Sequence, residues 1–471
     1  MRYGHFGGLF LSLIKCYNGY MHTTTIDFTE GNLKKEIILF AVPLFIGNLF
    51  QQFYSITDSI IVGNFLGQEA LASVASSDPL TNLIIGFFTG LAIGGGVVIA
   101  RAKGESNSDK LQQAIHTSVA LALISGVFLS IISFILTPSI LRFIDTPENI
   151  IDASIVYFRI YSAGLIFTLL YNILMGIMNA VGDSRHPLYY LMFSSFVNVV
   201  LDLVFIAIFH LGVGAASLAT VISQALSVIL SARRLIKTNE DYKLQIKKIR
   251  FYPKELKAII YNGFPTGIQN SVINIANVVV QSNINAFGSV AVAASGAYTK
   301  LEGFAFLPIT CFSLALTTSI SQNLGAGNKE RAKSAARFGI MLPAILSEII
   351  GLSFMFFAPM LVALFNKDPE VIKMGVERMR MEALFFCFLT ISHCTAGVLR
   401  GAGKAIVPMA VMLSVWCLFR VIYINVMIRL FQHIEVLYTA YPVTWIISTI
   451  AFMIYLKRSN WLEIEKAPDK L

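Results

Sequence analysis

The sequence predicts an all-α membrane protein of twelve transmembrane helices in two pseudo-symmetric six-helix bundles, an N-lobe and a C-lobe. Three observations carry this: the composition, twelve apolar runs long enough to cross a bilayer, and a repeat relating the first six runs to the last six. Hydrophobic residues make up 56% of the 471 and charged residues 13%, with a mean hydropathy of +0.70. Soluble domains carry about a quarter charged residues. The net charge of +9 does not point to nucleic acid, because the basic residues sit between apolar runs, where they set topology.

The runs lie at 37–62, 71–100, 114–137, 153–181, 188–209 and 213–236, numbered spans 1 to 6. Spans 7 to 12 follow at 257–284, 291–322, 335–361, 378–400, 406–430 and 436–456. Each can cover a hydrocarbon core of about 30 Å as a helix. Only a helix or a closed barrel satisfies its own backbone there, and runs of this length exclude the barrel.

Twelve spans put both termini on one side. The loops and ends on that side hold 25 Lys and Arg; the opposite loops hold 4, namely Arg142, Lys367, Lys373 and Arg429. The split predicts a multi-pass membrane protein with both termini and the long basic loop cytoplasmic. The predicted organisation is a poorly structured N-terminal extension over 1–30, the N-lobe over 31–236, a basic cytoplasmic linker over 237–256, the C-lobe over 257–457 and a cytoplasmic tail over 458–471. The linker region is rich enough in Lys and Arg to lie against anionic headgroups. Within the extension the apolar run from Phe6 to Ile14 is too short to span, and Met21 is a second candidate start.

The halves match at an offset of 221 to 222 residues. Pro43 and Asn48 correspond to Pro265 and Asn270, Gly104 and Asn107 to Gly325 and Asn328, and Pro138 to Pro359. Pro147-Glu148 matches Pro369-Glu370, and Gly176, Gly182 and Pro187 match Gly397, Gly403 and Pro408. Six spans separate the copies, so both face the membrane the same way, as parallel repeats. Two such bundles leave a central cleft, and rocking one against the other opens it to alternate sides.

An ionisable side chain at the bilayer centre costs about 2.5 to 3.5 kcal/mol on insertion scales, so each needs a reason. Asp58 near the outer end of span 1, Asn198 and Asp202 in span 5 and Thr220 in span 6 lie at similar depth, and Asn198 shares a helix face with Asp202. Such a set can hold a sodium ion through oxygen ligands or carry a proton on one carboxyl. Alternatively the two acids are separate packing residues satisfied by hydroxyls or water. At the repeat offset they map to Val279 or Val280, Phe419, Tyr423 and Tyr441, so a coupling site would belong to the N-lobe alone.

Other intramembrane polar candidates are Arg159 in span 4, Lys300 and Glu302 in span 8, Glu348 in span 9, Glu382 and His393 in span 10 and Arg420 in span 11. Glu302 either meets a cationic substrate or pairs with Lys300 or another base. His393 is either a proton carrier or a hydrogen-bonded packing residue. Phe53, Tyr54, Tyr157, Tyr161, Tyr298 and Phe304 fall on stretches expected to face the cleft, where ring faces can bind an organic cation or simply pack. Gly86, Gly90 and Gly94 suit close helix packing, and Pro43, Pro265 and Pro308 are expected to kink spans 1, 7 and 8.

Cys16, Cys311, Cys387, Cys394 and Cys417 show no metal or CxxC spacing, and the last four read as apolar packing residues. Gly397 to Lys404 approaches a phosphate loop but is one residue too long, and Ala405 stands where a Ser or Thr would hold magnesium. No HExxH, GxSxG or paired-acid hydrolase motif occurs.

With these residues placed, the chain resembles the multidrug and toxic compound extrusion (MATE) family of bacterial antiporters over about 30–457. The likeness rests on Val42-Pro43, the Thr57-Asp58 segment leading to Val62-Gly63, Asn179 to Pro187 (NAVGDSRHP) and Ser321 to Asn328 (SQNLGAGN). It implies a V-shaped pair of six-helix lobes that expels organic, often cationic, compounds against inward flow of sodium ions or protons. Asp58, Asn198, Asp202 and Thr220 match the family's N-lobe cation site. The sequence departs from the family at Ile273, near the place where some members carry an acid in span 7.

The resulting expectation is a secondary antiporter, not an enzyme, with no cofactor beyond a sodium ion or proton. Its substrate would be a small organic cation, and it would act as a monomer among membrane lipids. Two other readings stay open. One is a flippase for a lipid-linked precursor, which needs a cleft rich in bases, with Lys300, Arg159 and Arg420 available. The other is a membrane enzyme or receptor that does not transport.

Overall fold

Residues 25–144 and 146–463 are described by a computed structural model of the chain. All regular structure among them is helical. Span 1 forms one helix over Leu33–Leu66, span 2 over Gln68–Gly104 and span 3 over Ser108–Phe143. Span 4 is broken into Glu148–Ala163 and Leu165–Ala180. Span 5 runs over Arg185–Asp202 and continues as a π-helical turn over Leu203–Ile208; span 6 covers Gly214–Lys237.

The second half repeats the plan. Spans 7, 8 and 9 are Pro253–Asn285, Ser289–Gly325 and Lys329–Ala363. Span 10 is broken into Pro369–Ala383 and Phe386–Gly401. Span 11 runs from Ile406–Met412 through a π-helical segment, Leu413–Phe419, into Arg420–Phe431, and span 12 covers Glu435–Arg458.

Among the described residues nine helices are long and apolar enough to cross a membrane, and the two broken pairs make eleven. The twelfth, Pro253–Asn285, has the length but not the hydropathy, because it carries polar residues, of which Asn270, Ser271 and Asn274 face the other half. Its Asn270 and Asn274 donate to the Gly86 and Asn82 carbonyls of span 2, each at 3.1 Å. Large apolar side chains stand exposed on spans 3 and 9, with Phe128, Ile135, Phe356 and Met360 each more than 60% exposed, as a lipid-facing surface requires.

Local chemistry starts the helices. The side chains of Asn32, Asn107 and Asp368 accept from the first free backbone N–H groups of spans 1, 3 and 10. Helices run unbroken through Pro43, Pro265 and Pro308. The sharp bends fall elsewhere, at 47° in span 4 and 54° in span 10. In span 4 the bend sits at Gly164, where a Cβ would run into Val221 of span 6, so the missing side chain lets the two spans touch. In span 10 the freed backbone finds a side chain: Glu348 accepts from the Cys387 N–H at 3.0 Å. That assigns Glu348 a structural task.

The glycine ladder of span 2 does what its spacing predicts. Gly90 lies against Gly267, Gly94 against Gly263, and Gly86 against the Asn270 and Asn274 side chains. At the end of the bundle where Phe28, Leu33 and Trp461 share one apolar cluster, here called the base, the halves also meet. Gly104 abuts Gln322 and Gly325 abuts Arg101 with no room for a Cβ.

The expected unstructured stretch 1–30 falls mostly outside the described residues, as does 464–471 of the expected tail. Residues 25–30 are tied down. The Ile26 N–H donates to the Gly182 carbonyl at 3.0 Å, the Phe28 N–H to Gln322 Oε1 at 3.1 Å, and Asn323 Nδ2 to the Phe28 carbonyl at 3.1 Å. The segment thus bridges both halves across the base. Much of the basic 237–256 segment is likewise packed: Tyr242 and Leu244 are buried, Gln245 N–H donates to His116 Nε2 at 3.0 Å, and Lys103 pairs with Asp241 at 2.9 Å.

Candidate functional site

Spans 1, 5 and 6 bring Asp58, Asn198, Asp202 and Thr220 together. Asp202 is the last residue of regular α-helix in span 5, and the π-helical turn begins at Leu203; such insertions recur at functional sites. The Asp58 and Asp202 carboxyl groups are close enough to interact electrostatically. With its amide oriented to satisfy both neighbours, Asn198 donates to Asp202 Oδ2 at 2.8 Å and accepts from the Thr220 N–H at 3.1 Å. Tyr54, one turn before Asp58 on span 1, lies beside the cluster. Asp202 is fully buried and Asn198 1% exposed.

Two oxygens in this cluster, Asp58 Oδ1 and Asp202 Oδ1, are buried without a protein donor. Carboxylates in contact repel, and a proton between them or a cation beside them removes the repulsion. Carboxylate, amide and hydroxyl oxygens are hard ligands suited to an alkali cation, so both chemistries fit the residues present.

A separate cavity of about 880 Å³ lies between the halves. Span 1 contributes Asn48 and Gln51, span 2 Asn82 and Thr89, span 7 Asn270 and Asn277, and span 8 Glu302 and Phe306. Of the aromatic and acidic cleft candidates, Glu302 lines it; Phe53, Tyr54, Tyr157, Tyr161, Tyr298 and Phe304 are not among its lining residues. Phe53 and Phe304 instead touch each other across spans 1 and 8 at 6.1 Å between centroids. Tyr161 is buried beside Phe158. Tyr157 packs with the apolar cluster at the far end of spans 1 and 5. Tyr298 points into the C-lobe interior, where its hydroxyl donates to Glu382 at 2.8 Å. The sequence offers the ring type, but which face a helix turns inward depends on its neighbours.

The C-lobe holds a charged network that sequence reasoning assigned only in part. Arg378 donates to Glu382 at 2.8 Å, and both are buried. The Arg378 guanidinium lies 4.4 Å from the Tyr298 ring centroid and 5.3 Å from that of Tyr441. Arg420 stacks over Tyr441 at 4.5 Å and over Trp416 at 5.4 Å, and donates to Thr444 at 2.9 Å. Arg378 went unnoticed because it opens an apolar run, yet its spacing of four from Glu382 on one helix was readable. At the repeat offset Arg378 and Glu382 stand where the first half has Tyr157 and Tyr161.

Arg400, counted from sequence as a loop base, is buried and lines the cavity, as does His393, whose ring packs edge-on to Phe306 and Trp416. Lys300 is exposed and makes no ion pair with Glu302 among the described residues. Arg159 lies over the Phe134 ring at 5.5 Å. Cys311, Cys394 and Cys417 are buried free thiols, and Cys387 is half-buried. Among the described residues no group of three or more His, Cys, Asp or Glu forms a metal cage.

Two of the four segments that carry the resemblance, Asn179 to Pro187 and Ser321 to Asn328, are base-closing parts. Gly182 of NAVGDSRHP has φ +90°, which a side chain resists, and its carbonyl takes the Ile26 N–H. Asp183 caps span 5 by accepting from the His186 N–H at 3.2 Å. Gln322 of SQNLGAGN donates to the Ala180 carbonyl at 2.9 Å, joining the lobes.

Comparison with known proteins follows the same two-part plan. The family model MatE matches residues 43–204 and again 265–426. The probable multidrug resistance protein YpnP of Bacillus subtilis (strain 168) is 29% identical over 395 residues, covering 83% of this chain and 88% of that protein. The probable multidrug resistance protein YoeA of the same strain is 27% identical over 397 residues, covering 82% and 86%. A solved structure described as the outward-facing conformation of a multidrug resistance MATE family transporter of the MOP superfamily superposes with a TM-score of 0.87 at 22% identity. It covers 93% of this chain and 98% of that one, so the fold is shared.

Proposed function

The chain belongs to the MatE family of multi-pass membrane transporters, and from that premise we propose a secondary antiporter that exports small organic compounds in exchange for sodium ions or protons by alternating access. The observation that carries the reading is the meeting of Asp58 and Asp202 across spans 1 and 5, with Asn198 and Thr220 completing an oxygen-lined pocket. This cluster holds the coupling ion. The exported compound occupies the cavity between the lobes.

Ion and substrate then sit apart, and span 1 joins them. Its Asn48 and Gln51 line the cavity, while Tyr54 and Asp58, one and two turns on, belong to the ion cluster. An ion that draws Asp58 toward Asp202 reorients the same helix that forms a cavity wall. A ligand shifts a conformational equilibrium only through such differential contact. With the base cytoplasmic, as the basic loops suggest, the close contacts at Gly104 and Gly325 seal the cytoplasmic side. The position is the inner membrane, surrounded by lipid, with the monomer as the working unit. Glu302 is the one carboxylate among the cavity's lining residues.

The test is dye efflux from proteoliposomes under separately imposed sodium and pH gradients. One gradient should drive export, and Asp58→Asn and Asp202→Asn should each lower the driven rate by about tenfold or more, equivalent to about 1.4 kcal/mol of barrier. Wild-type rates in both variants would refute the coupling role.

A further inference from the structure

The charged residues lining the cavity are Glu302 and three arginines, Arg378, Arg400 and Arg420, all from the C-lobe. Arg378 is neutralised by its buried partner Glu382. If Glu302 is set against Arg420, Arg400 still has no carboxylate, and neither Arg400 nor Arg420 makes an ion pair among the described residues. Both are more than nine-tenths buried, at 8% and 2% exposed. Each has made one side-chain bond, Arg400 Nη2 to Ser313 Oγ at 3.2 Å and Arg420 Nη2 to Thr444 Oγ1 at 2.9 Å. The Nε–H of each has no acceptor.

A buried guanidinium with an empty donor and no counter-charge is costly by itself, and an incoming anion relieves it. Guanidinium groups favour planar or tetrahedral oxyanions, which accept two donors at once. The surroundings add an apolar body to the pattern. Trp416 packs between the His393 ring and the Arg420 guanidinium, and Tyr441 covers Arg420 from another side. His393 is tied back to Arg400 through Ser313, which donates to the His393 carbonyl at 2.9 Å and accepts from Arg400. Arg400, His393, Trp416, Arg420 and Tyr441 therefore form one continuous wall.

We propose that this wall binds an amphipathic aromatic anion, its carboxylate, sulfonate or phosphate drawn in by the positive charge of Arg400 and Arg420 and its rings lying against Trp416 and Tyr441. The substrate class is thus an organic anion or zwitterion, and Glu302 tunes the wall instead of anchoring a cation. The cavity's 880 Å³ falls within the roughly 300 to 1,000 Å³ of sites for molecules of this size. The inference rests on the transport reading for the cavity's role, but its test does not.

The experiment measures equilibrium binding of two xanthene dyes of opposite charge, anionic fluorescein and cationic rhodamine 6G, to the purified full chain in phosphatidylcholine nanodiscs. Fluorescein should bind on the order of tenfold tighter than rhodamine 6G. Arg400→Gln and Arg420→Gln should each cost fluorescein about tenfold while rhodamine 6G binding holds or rises. Arg420→Lys, which keeps the charge but not the fork, should fall between. Retained rhodamine 6G binding and an unchanged elution profile show that the variants are folded.

Equal or tighter binding of the cationic dye, or fluorescein binding indifferent to both arginines, overturns the proposal. Displacement of fluorescein by phosphatidylglycerol at equal total lipid would make a lipid phosphate the anion, which supports the same recognition from a second source. Fluorescein binding without gradient-driven flux would sink the transport reading and leave the anion site standing. Gradient-driven flux of rhodamine 6G with no fluorescein binding would do the reverse.

Discussion

Gly90 of span 2 and Gly267 of span 7 face each other with no space for a side chain: a Cβ on Gly90 overlaps the Gly267 backbone, and one on Gly267 comes within 2.7 Å of the Phe87 carbonyl oxygen. This contact, repeated one turn on by Gly94 and Gly263, lets backbones of opposite lobes touch, as small residues do in membrane helices. Gly90→Val should force the lobes apart here and cost about 1 to 3 kcal/mol through overpacking. Spin labels placed at Asp109 and Lys329 should report a wider or broader distance distribution in the variant. An unchanged distribution together with unchanged thermal unfolding would show that the contact does not hold this conformation.

The Asp58 and Asp202 cluster should register its own ion. Ligand at about 100 times its dissociation constant stabilises a folded protein by about 2.7 kcal/mol. Thermal unfolding of the wild type should therefore rise with sodium against choline, or with falling pH at constant sodium. The rise should vanish in both Asp58→Asn and Asp202→Asn. A response that survives in both places the ion elsewhere.

Asn198 supplies a donor to Asp202 and an acceptor to the Thr220 N–H. Asn198→Leu fills the space and makes neither bond. Stranding a buried polar group costs about 1 to 3 kcal/mol, so unfolding should shift by that order and the apparent ion affinity should weaken. Wild-type ion dependence in this variant would remove Asn198 from the site.

Arg378 and Glu382 form a buried pair, 3% and 0% exposed at their side chains. Breaking it from one side leaves a charge uncompensated, at about 3 to 5 kcal/mol. Arg378→Gln and Glu382→Gln should each destabilise by that order, while the double variant should cost clearly less than their sum. Strict additivity in the double-mutant cycle would mean that the pair does not interact as drawn.

At the base, Arg331 holds the entering chain. Its Nε donates to the Phe28 carbonyl at 2.7 Å and Nη1 to the Gly31 carbonyl at 3.0 Å, and Nη2 pairs with Glu36 at 2.9 Å. Arg331→Ala should loosen residues 25–31, raising amide exchange there by at least about tenfold, the equivalent of about 1.4 kcal/mol. Protection equal to the wild type would assign the anchoring to Gln322 and Asn323 instead.

Much of the architecture is legible without coordinates. All twelve runs recur as helices, and the family model's two matches begin at 43 and 265, the same proline pair that opened the repeat. The N-lobe cluster is also readable, because a membrane makes each acid conspicuous and the helical rise sets its depth. The C-lobe wall is not, for different reasons at each residue. Arg400 looks like one more loop base until the helix of span 10 is seen to carry it inside. Tyr298 looks like a cleft aromatic until its hydroxyl is found on Glu382. The breaks in spans 4 and 10 leave no proline, since Gly164 and the Glu348 carboxylate make them possible only through contacts with other spans.

What the order of residues determined alone is the membrane class, the twelvefold division, the parallel repeat and the depth of the first-half acids. These follow from length, hydropathy and helical rise, all local properties that a bilayer imposes on any chain. Only tertiary structure decided which polar side chains share a cavity and which are consumed by partners. Rotation of each helix about its axis is set by packing against its neighbours, and that rotation, not the sequence period, turns Arg400 and Arg420 inward and Tyr298 away.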